Sequence, residues 1–330
     1  MDLSVCILTH SQPVLLPQCV ASCVREIERA GVSGEIVIVD NASSDGYPEK
    51  LAASTPMVRV IRSEENIGFA VANNMAVKLS RGENVLLLND DAILQEGSLE
   101  LMMAALKSDP GIAAAGPILV FPDGTPQFMY MNKRFPNLRG MVAEFTGRDL
   151  AWRLKRWTRD WLTMWDSPEH AAEPQQLSGA CFLVRRRVWD QMGGFDERFH
   201  YVLDDTDLCF RLRRAGWRLR CVQAARVTHY GGSTFGRWDR LEQQINYYKC
   251  IYAYFRKHSS FPKYLLARVV LGLAIVFRFS EVTFWETGRL VKRHPKISLR
   301  DVARRARGRL ALLWFLLRAG ATQAPQPSRH

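Results

Sequence analysis

Four short, almost unbroken apolar runs punctuate the first part of the chain: Leu3–Leu8, Ile36–Val39, Val58–Ile61 and Val85–Leu88. Runs of this length, rich in Val, Ile and Leu, are the pattern of parallel strands covered by helices on both faces. The segments between them have helical periodicity. Leu15–Ala30 carries Leu16, Val20, Cys23, Val24 and Ile27 on one stripe and meets Gly31 as a stop signal. Phe69–Leu79 and Gly97–Lys107 read as further helices. This rhythm predicts an α/β fold with a doubly wound, mostly parallel, Rossmann-like sheet flanked by helices. Ligands of such sheets bind beyond the carboxyl ends of the strands. The polar residues placed there are Thr9 and His10, Asp40 and Asn41, Asn66, and the run Asn89, Asp90, Asp91.

Strand signals return at Cys181–Val184, Leu219–Val222 and Arg226–Thr228, and Asp205–Ala215 reads as a helix closed by Gly216. Met141–Trp165 mixes Trp152, Trp157, Trp161 and Trp165 with Arg and Lys. That composition suits an amphipathic helix at a membrane interface or over an acceptor, and equally a solvated helix docked on the domain. Past Asn246 the chain reads as helical and basic, with 16 Lys/Arg against 3 Asp/Glu over residues 256–330. The expected organisation is an α/β domain over 1–240 with an insertion near 141–170, then a basic helical C-terminal extension over 241–320. A disordered tail, marked by Pro325 and Pro327, follows over 321–330.

The net charge of +12 is unevenly spread. Residues 1–130 hold 8 Lys/Arg against 16 Asp/Glu, and the remainder holds 37 against 17. A basic rear of this kind faces phosphates of nucleic acid, of lipid head groups or of a diphosphate substrate. Nucleic-acid binding is the weaker reading, because no recognition motif is present and the acidic front would repel a phosphate backbone. A nicotinamide-dependent oxidoreductase is also disfavoured, since no GxGxxG follows the first strand. The seven cysteines form no CxxC pair and no zinc-ligand spacing, so Cys19 and Cys23 are expected in the core of a protein from a reducing compartment. The N-terminus lacks the basic region of a signal peptide. The most apolar stretch, Val269–Phe277, falls short of the ~20 residues a spanning helix needs.

Five constellations carry chemistry. The segment VDNASSDG at 39–46 puts Asp40 directly after a buried strand, placed to accept hydrogen bonds from a nucleobase or ribose, although Asp and Asn also simply favour turns. ENIGFAVANN at 65–74 offers the Asn66 amide beside Gly68, which lets a ligand approach the backbone. LLLNDDA at 86–92 ends a buried strand on two acids whose repulsion and desolvation a hard cation such as Mg2+ or Mn2+ would relieve. Asp204, Asp205 and Asp207 crowd one helix N-terminus, more carboxylates than capping needs, which points to a general base or a ligand site. His229, in THYGGS at 228–233, directly follows a strand and precedes a glycine pair.

Together with SGACFLVRR at 178–186, GGFDERF at 193–199 and DDTDLCFRLRRAGW at 204–217, these segments resemble glycosyltransferase family 2, and more closely its bacterial rhamnosyltransferase-like branch. The resemblance spans roughly residues 3–235. It implies a GT-A fold and an inverting transfer from a nucleotide-diphosphate sugar. In that scheme Asp40 binds the nucleoside, with Thr9, Asn41, Asn66, Gly68, Asn89 and Asp90 around the donor nucleotide. Asp91 matches the last, metal-binding residue of the family's DxD-type motif, and His229 a residue near the metal and diphosphate. Asp205 matches the general base, with Asp204, Asp207, Gly179 and Trp217 as acceptor-side or supporting residues.

The resemblance further implies Mg2+ or Mn2+ as cofactor and a dTDP- or UDP-sugar as donor, with dTDP-L-rhamnose first. A glycan or lipid-linked glycan of cell-surface polysaccharide synthesis would be the acceptor, and nucleic acid is not an expected partner. Placement is expected to be cytoplasmic and peripheral on the inner face of the cell membrane, with stretches such as Leu310–Leu317, between Arg309 and Arg318, lying on an anionic leaflet. Three positions depart from the family pattern: Asn89 stands for the first DxD carboxylate, Thr9-His10-Ser11 for Thr-x-Asn, and Asp204 for the Glu of the Glu-Asp pair. Asn89 keeps open the alternative of a catalytically inactive scaffold. The Gln-x-x-Arg-Trp of processive synthases is absent from the sequence, as expected for addition of one or a few sugars.

Overall fold

The computed structural model describes residues 1–127, 135–138, 172–199, 202–231, 240–273, 307, 310 and 314. The Trp/Arg-rich segment Met141–Trp165 and the expected tail lie outside the described residues, as do most of Leu310–Leu317 and the end of Val269–Phe277. Described residues up to 135 and over 172–231 belong to one compact unit, and 136–138, 240–273, 307, 310 and 314 to a second.

The first unit runs β1 (Leu3–Thr9), α1 (Leu15–Ala30), β2 (Gly34–Asn41), α2 (Tyr47–Ser54), β3 (Val58–Ser63), α3 (Phe69–Leu79) and β4 (Asn84–Asn89). It continues through β5 (Ala92–Leu94), α4 (Ser98–Ser108), β6 (Ile112–Val120), β7 (Cys181–Arg185), α5 (Arg186–Met192), α6 (Asp204–Arg214) and β8 (Arg218–His229). The eight strands form one sheet in the order β3-β2-β1-β4-β7-β6-β8-β5. β3, β2, β1 and β4 are mutually parallel, as the apolar runs predict. β7 enters antiparallel between β4 and β6, β8 runs parallel to β6, and β5 closes the edge antiparallel to β8. The sheet is therefore parallel in one half and mixed in the other.

The predicted elements fall where the periodicity puts them. α1 buries Leu16, Cys19, Val20, Cys23 and Ile27, and Gly31, at φ 62°, ends it by donating to the Ile27 and Glu28 carbonyls. β1 and β2 bury Leu3, Val5, Ile7, Ile36, Ile38 and Val39 completely, each worth about 1.5–3 kcal/mol of apolar transfer. All seven cysteines are buried and reduced, in line with core packing. The two strand signals at 219–222 and 226–228 are one strand, β8, whose register against β6 shifts between Pro117 and Ile118. α2, β5 and β6 escape the sequence reading, β6 because its Ala-Ala-Ala-Gly-Pro centre has little β-branched character.

The topology aligns every site segment. β1 leads outward through β2 to β3, and the chain then returns by α3 to β4 on the other side of β1. This reversal is a topological switch point, between the carboxyl ends of β1 and β4. Because β7 is antiparallel to β4, its beginning lies at that same edge, where Asn89 N–H donates to the Ala180 carbonyl at 3.0 Å. β6 and β8 end there too, so His229 joins Thr9, Asn41 and Asn89 along one rim.

In the second unit, α7 (Arg240–His258) is followed by a helical run over 261–273, with Tyr252 and Tyr264 stacked edge to face at 5.5 Å. Phe261, Leu266, Val269 and Leu273 are exposed on the second helix.

Candidate active site

At the end of β2, Asp40 is fully buried. One carboxylate oxygen accepts the Ser43 N–H at 2.9 Å, and the other faces the Arg62 guanidinium at 3.2 Å. Arg62 stands opposite Asp40 in the β2–β3 register and also binds Glu49 and the Ser43 carbonyl. The buried carboxylate and Glu49 in turn raise the Arg62 pKa, Glu49 contributing most through its hydrogen bond. Ala42 adopts φ 63°, a left-handed geometry uncommon for a residue with a side chain, so the VDNASSDG turn is held under strain. Asn41 accepts the Ile67 N–H and donates to the Asn66 side chain, both at 2.8 Å. Asn66 also accepts the Gly68 N–H at 3.1 Å and remains exposed. The segments at 39–46 and 65–74 are thus one interlocked surface.

The two adjacent acids after β4 turn apart. Asp90 reaches back to β1, where Thr9 Oγ1 donates to it at 2.8 Å across the switch point. Asp91 turns toward β8, its Oδ1 facing His229 Nε2 at 3.4 Å, with both side chains buried. This opposed orientation answers the repulsion that two neighbouring carboxylates raise. His229 is clamped from its other side by Gln127, which is fully buried on the return that follows β6. The Gln127 amide nitrogen donates to the His229 carbonyl, and its Oε1 meets His229 Nδ1 at 2.8 Å.

Among the described residues no three or more His, Cys, Asp or Glu side chains converge as a metal cage. The Asp91–His229 pair nevertheless fits a divalent ion. Two ligands each about 2.1 Å from one cation lie roughly 3 Å apart, and Mg2+-type sites commonly take one or two protein ligands and complete the shell with phosphates and water.

The third component is the N-terminus of α6. Leu203, at φ 72°, turns the chain into the helix through a strained left-handed step. Asp205 Oδ2 accepts the Gly179 N–H at 2.9 Å, and its Oδ1 accepts the Thr206 N–H at 2.6 Å. These bonds fix its carboxylate beside the start of β7 while leaving it partly exposed. Asp204 is buried, and that burial, reinforced by the neighbouring Asp205 charge, pushes its carboxyl well above the usual range. Asp207 is a brace: it binds Arg211 at 2.8 Å, and Arg211 holds the Met192 and Gly194 carbonyls at 2.6 Å each.

The structure therefore brings Thr9, Asp40, Asn41, Asn66, Gly68, Asn89, Asp90, Asp91, Gly179, Asp204, Asp205 and His229 to one rim of the sheet. Trp217 is not with them. It lies beyond the opposite end of α6, about 16 Å of helix away, with the Arg187 guanidinium 5.8 Å from its ring. Arg62 and Gln127 are the site residues that sequence reasoning missed. Arg62 sits at the carboxyl end of β3, where the strand-end rule applies once that strand is extended past Ile61. Gln127 has no local signal, being 102 residues from its partner.

The glycosyl transferase family 2 model matches residues 4–166. An N-acetylglucosaminyl-diphospho-decaprenol L-rhamnosyltransferase of Mycobacterium tuberculosis is 30% identical over 242 residues, 68% of this chain and 75% of that protein. An O-antigen biosynthesis protein of Myxococcus xanthus is 29% identical over 59% of this chain, which spans 15% of its length. Among solved structures, a mannosyltransferase from Pyrobaculum calidifontis in complex with GDP-Man and Mn2+ superposes with a TM-score of 0.53. That match has 16% identity and covers 97% of this chain and 86% of the other. The chain belongs to glycosyltransferase family 2 and has the GT-A fold.

Proposed function

We propose that the protein is an inverting, metal-dependent glycosyltransferase that moves one sugar, L-rhamnose first, from a dTDP- or UDP-linked donor to a hydroxyl of a glycan or lipid-linked glycan. The observation that carries this reading is Asp205, partly exposed and held by the Gly179 and Thr206 amides on the rim that also bears Asp91 and His229. The rhamnosyl choice and a polyprenyl-diphosphate-linked acceptor follow the mycobacterial relative's name.

In this mechanism the surface built from Asp40, Arg62, Asn41 and Asn66 receives the nucleoside. Asp40 has no exposed surface, so its part is to hold Arg62 and the Ser43 turn or to accept a base N–H once Arg62 swings away. Asp91 and His229 would hold Mg2+ or Mn2+, which when bound neutralises charge growing on the departing diphosphate. Asp205 accepts the proton of the acceptor hydroxyl as its oxygen attacks the anomeric carbon from the face opposite the leaving group. A single displacement of that kind inverts the configuration. The amides of Gly179 and Thr206 keep the carboxylate aimed.

The basic stretch over 256–330 and the exposed Phe261, Leu266, Val269 and Leu273 support peripheral attachment to an anionic inner leaflet. Among the described residues no helix is long and apolar enough to cross a membrane. A thermal-shift and calorimetry panel of dTDP- and UDP-sugars, with and without Mn2+, tests the donor and the metal. Transfer to a polyprenyl-diphosphate-linked sugar tests the reaction. Donor binding without transfer to any glycan or lipid-linked acceptor would favour the inactive scaffold that Asn89 allows.

A further inference from the structure

Gln127 is a fully buried amide whose two ends both serve one residue, and that residue is on the catalytic rim. Its placement is built by the chain. Phe121 and Gly124 close a tight turn after β6, Val120 bridges Pro126, and Gln127 N–H donates to the Leu119 carbonyl at 2.8 Å. This return lies beside the end of β8, because Val120 is in register with Thr228.

The geometry fixes the orientation of the amide and, through it, the hydrogen on the imidazole. A backbone carbonyl can only accept, so the Gln127 group facing the His229 carbonyl must be the NH2. Oε1 is then the atom 2.8 Å from His229 Nδ1, and an amide oxygen can only accept. Nδ1 must therefore carry a hydrogen. In the neutral ring this leaves the lone pair on Nε2, the atom directed at Asp91 Oδ1. Flipping the amide would set oxygen against the carbonyl oxygen, so a ring without hydrogen on Nδ1 leaves one of the two Gln127 contacts unsatisfied.

We infer that Gln127 is the positioning residue of the metal site: it locks the His229 ring and its Nδ1–H tautomer so that Nε2 is presented as a ligand beside Asp91. The inference rests on the proposed metal-dependent reading of this rim. Hydrogen bonds that fix the second nitrogen of a ligating histidine are worth about 10–100-fold in metal affinity.

The test uses the full-length protein and two readouts. First, long-range 1H–15N correlation of the histidine side chains, with His229 assigned from a His229→Asn variant, reports the tautomer without any metal. The expected wild-type state is hydrogen on Nδ1, and hydrogen on Nε2 alone in the neutral ring overturns the inference. Second, Mn2+ binding is titrated in the presence of UDP and of dTDP by electron paramagnetic resonance. Gln127→Leu, similar in volume but without either polar end, should bind Mn2+ about 10–100-fold more weakly. Gln127→Glu, which keeps an acceptor for Nδ1–H, should recover part of that loss. Equal Mn2+ affinity in wild type and Gln127→Leu overturns the role of Gln127 while leaving the metal reading intact. A wild type that binds no Mn2+ with either nucleotide overturns both. If Gln127→Leu does not fold, the wild-type tautomer still decides.

Discussion

The two halves of the sheet solve the same problem differently. In the parallel half, the polar groups beyond β2 and β3 satisfy one another at modest sequence separation: Asp40 with Ser43 and Arg62, Asn41 with Asn66 and Ile67, Asn66 with Gly68. In the mixed half, holding groups arrive from other segments: Gln127 on His229, Gly179 on Asp205, Arg211 on the Gly193–Gly194 turn. The first arrangement makes a surface of turns that can meet a ligand with backbone and amide groups. The second aims individual ionisable groups. The reversal between β1 and β4, closed by Thr9 and Asp90, is where the two meet.

The largest expected effect comes from the aimed half. Asp205→Asn removes the base while preserving shape, so turnover should fall by roughly 10²–10⁴-fold with donor affinity unchanged. Calorimetry beside steady-state kinetics separates the two quantities, and near-wild-type turnover would remove Asp205 from the role. Asp91→Ala should next reduce donor affinity in Mn2+ to the value seen in excess EDTA. Were the wild type equally active in EDTA, this half would have no metal function.

A second contact between the halves gives a stability effect. Asn74, on α3, accepts the Phe195 N–H and donates to the Phe195 carbonyl, both at 2.9 Å. Asn74→Ala should therefore cost about 1–3 kcal/mol by leaving those backbone groups unsatisfied. Gly194→Ala should also destabilise, because Gly194 sits at φ 69° and an added Cβ would lie 2.6 Å from the Asn74 oxygen. Thermal melting checks both, with a shift of roughly 2–4 °C per kcal/mol in a domain of this size. Unchanged melting would show that the halves do not depend on this contact.

The smallest effect concerns Asp204. Burial and the Asp205 charge raise its carboxyl above the unfolded value, so the folded chain holds that proton more tightly than the unfolded chain does. Its contribution to stability is thus greatest below about pH 4 and declines as pH rises from there toward the folded value. Asp204→Asn should flatten that decline, read as melting temperature against pH. A wild-type and variant pair with parallel profiles would contradict the burial argument.

Much of the parallel half is legible in sequence because short-range rules govern it. A run such as Ile36–Val39 can be satisfied only inside a sheet, and the position after it is then a strand end. α1 and α3 match their predicted ranges because their helical periodicity is local, and α1 is ended by the Gly31 directly after it. Even there Arg62 escapes the sequence reading, because β3 runs on past Ile61 to Ser63. The mixed half is less legible: β6 lacks a strand-like composition and β5 is three residues long. The direction of β7 has no local signature, because it depends on which neighbours remain unpaired when the chain returns to β4.

The sequence by itself determined the family, the parallel core and the identity of the acids and amides at strand and helix ends, since each is a matter of residue type in a short window. Tertiary structure alone decided what those residues face. Asp90 and Asp91 are neighbours in sequence, yet one serves Thr9 on β1 and the other His229 on β8. Glu26 on α1 caps α4 by accepting the Gly97 and Leu99 N–H groups, and Gln127 sets the imidazole of a residue far along the chain. Hydrogen bonds are directional and short, so such partners are chosen only when folding brings distant segments within about 3 Å, with orientations that the order of residues does not encode locally.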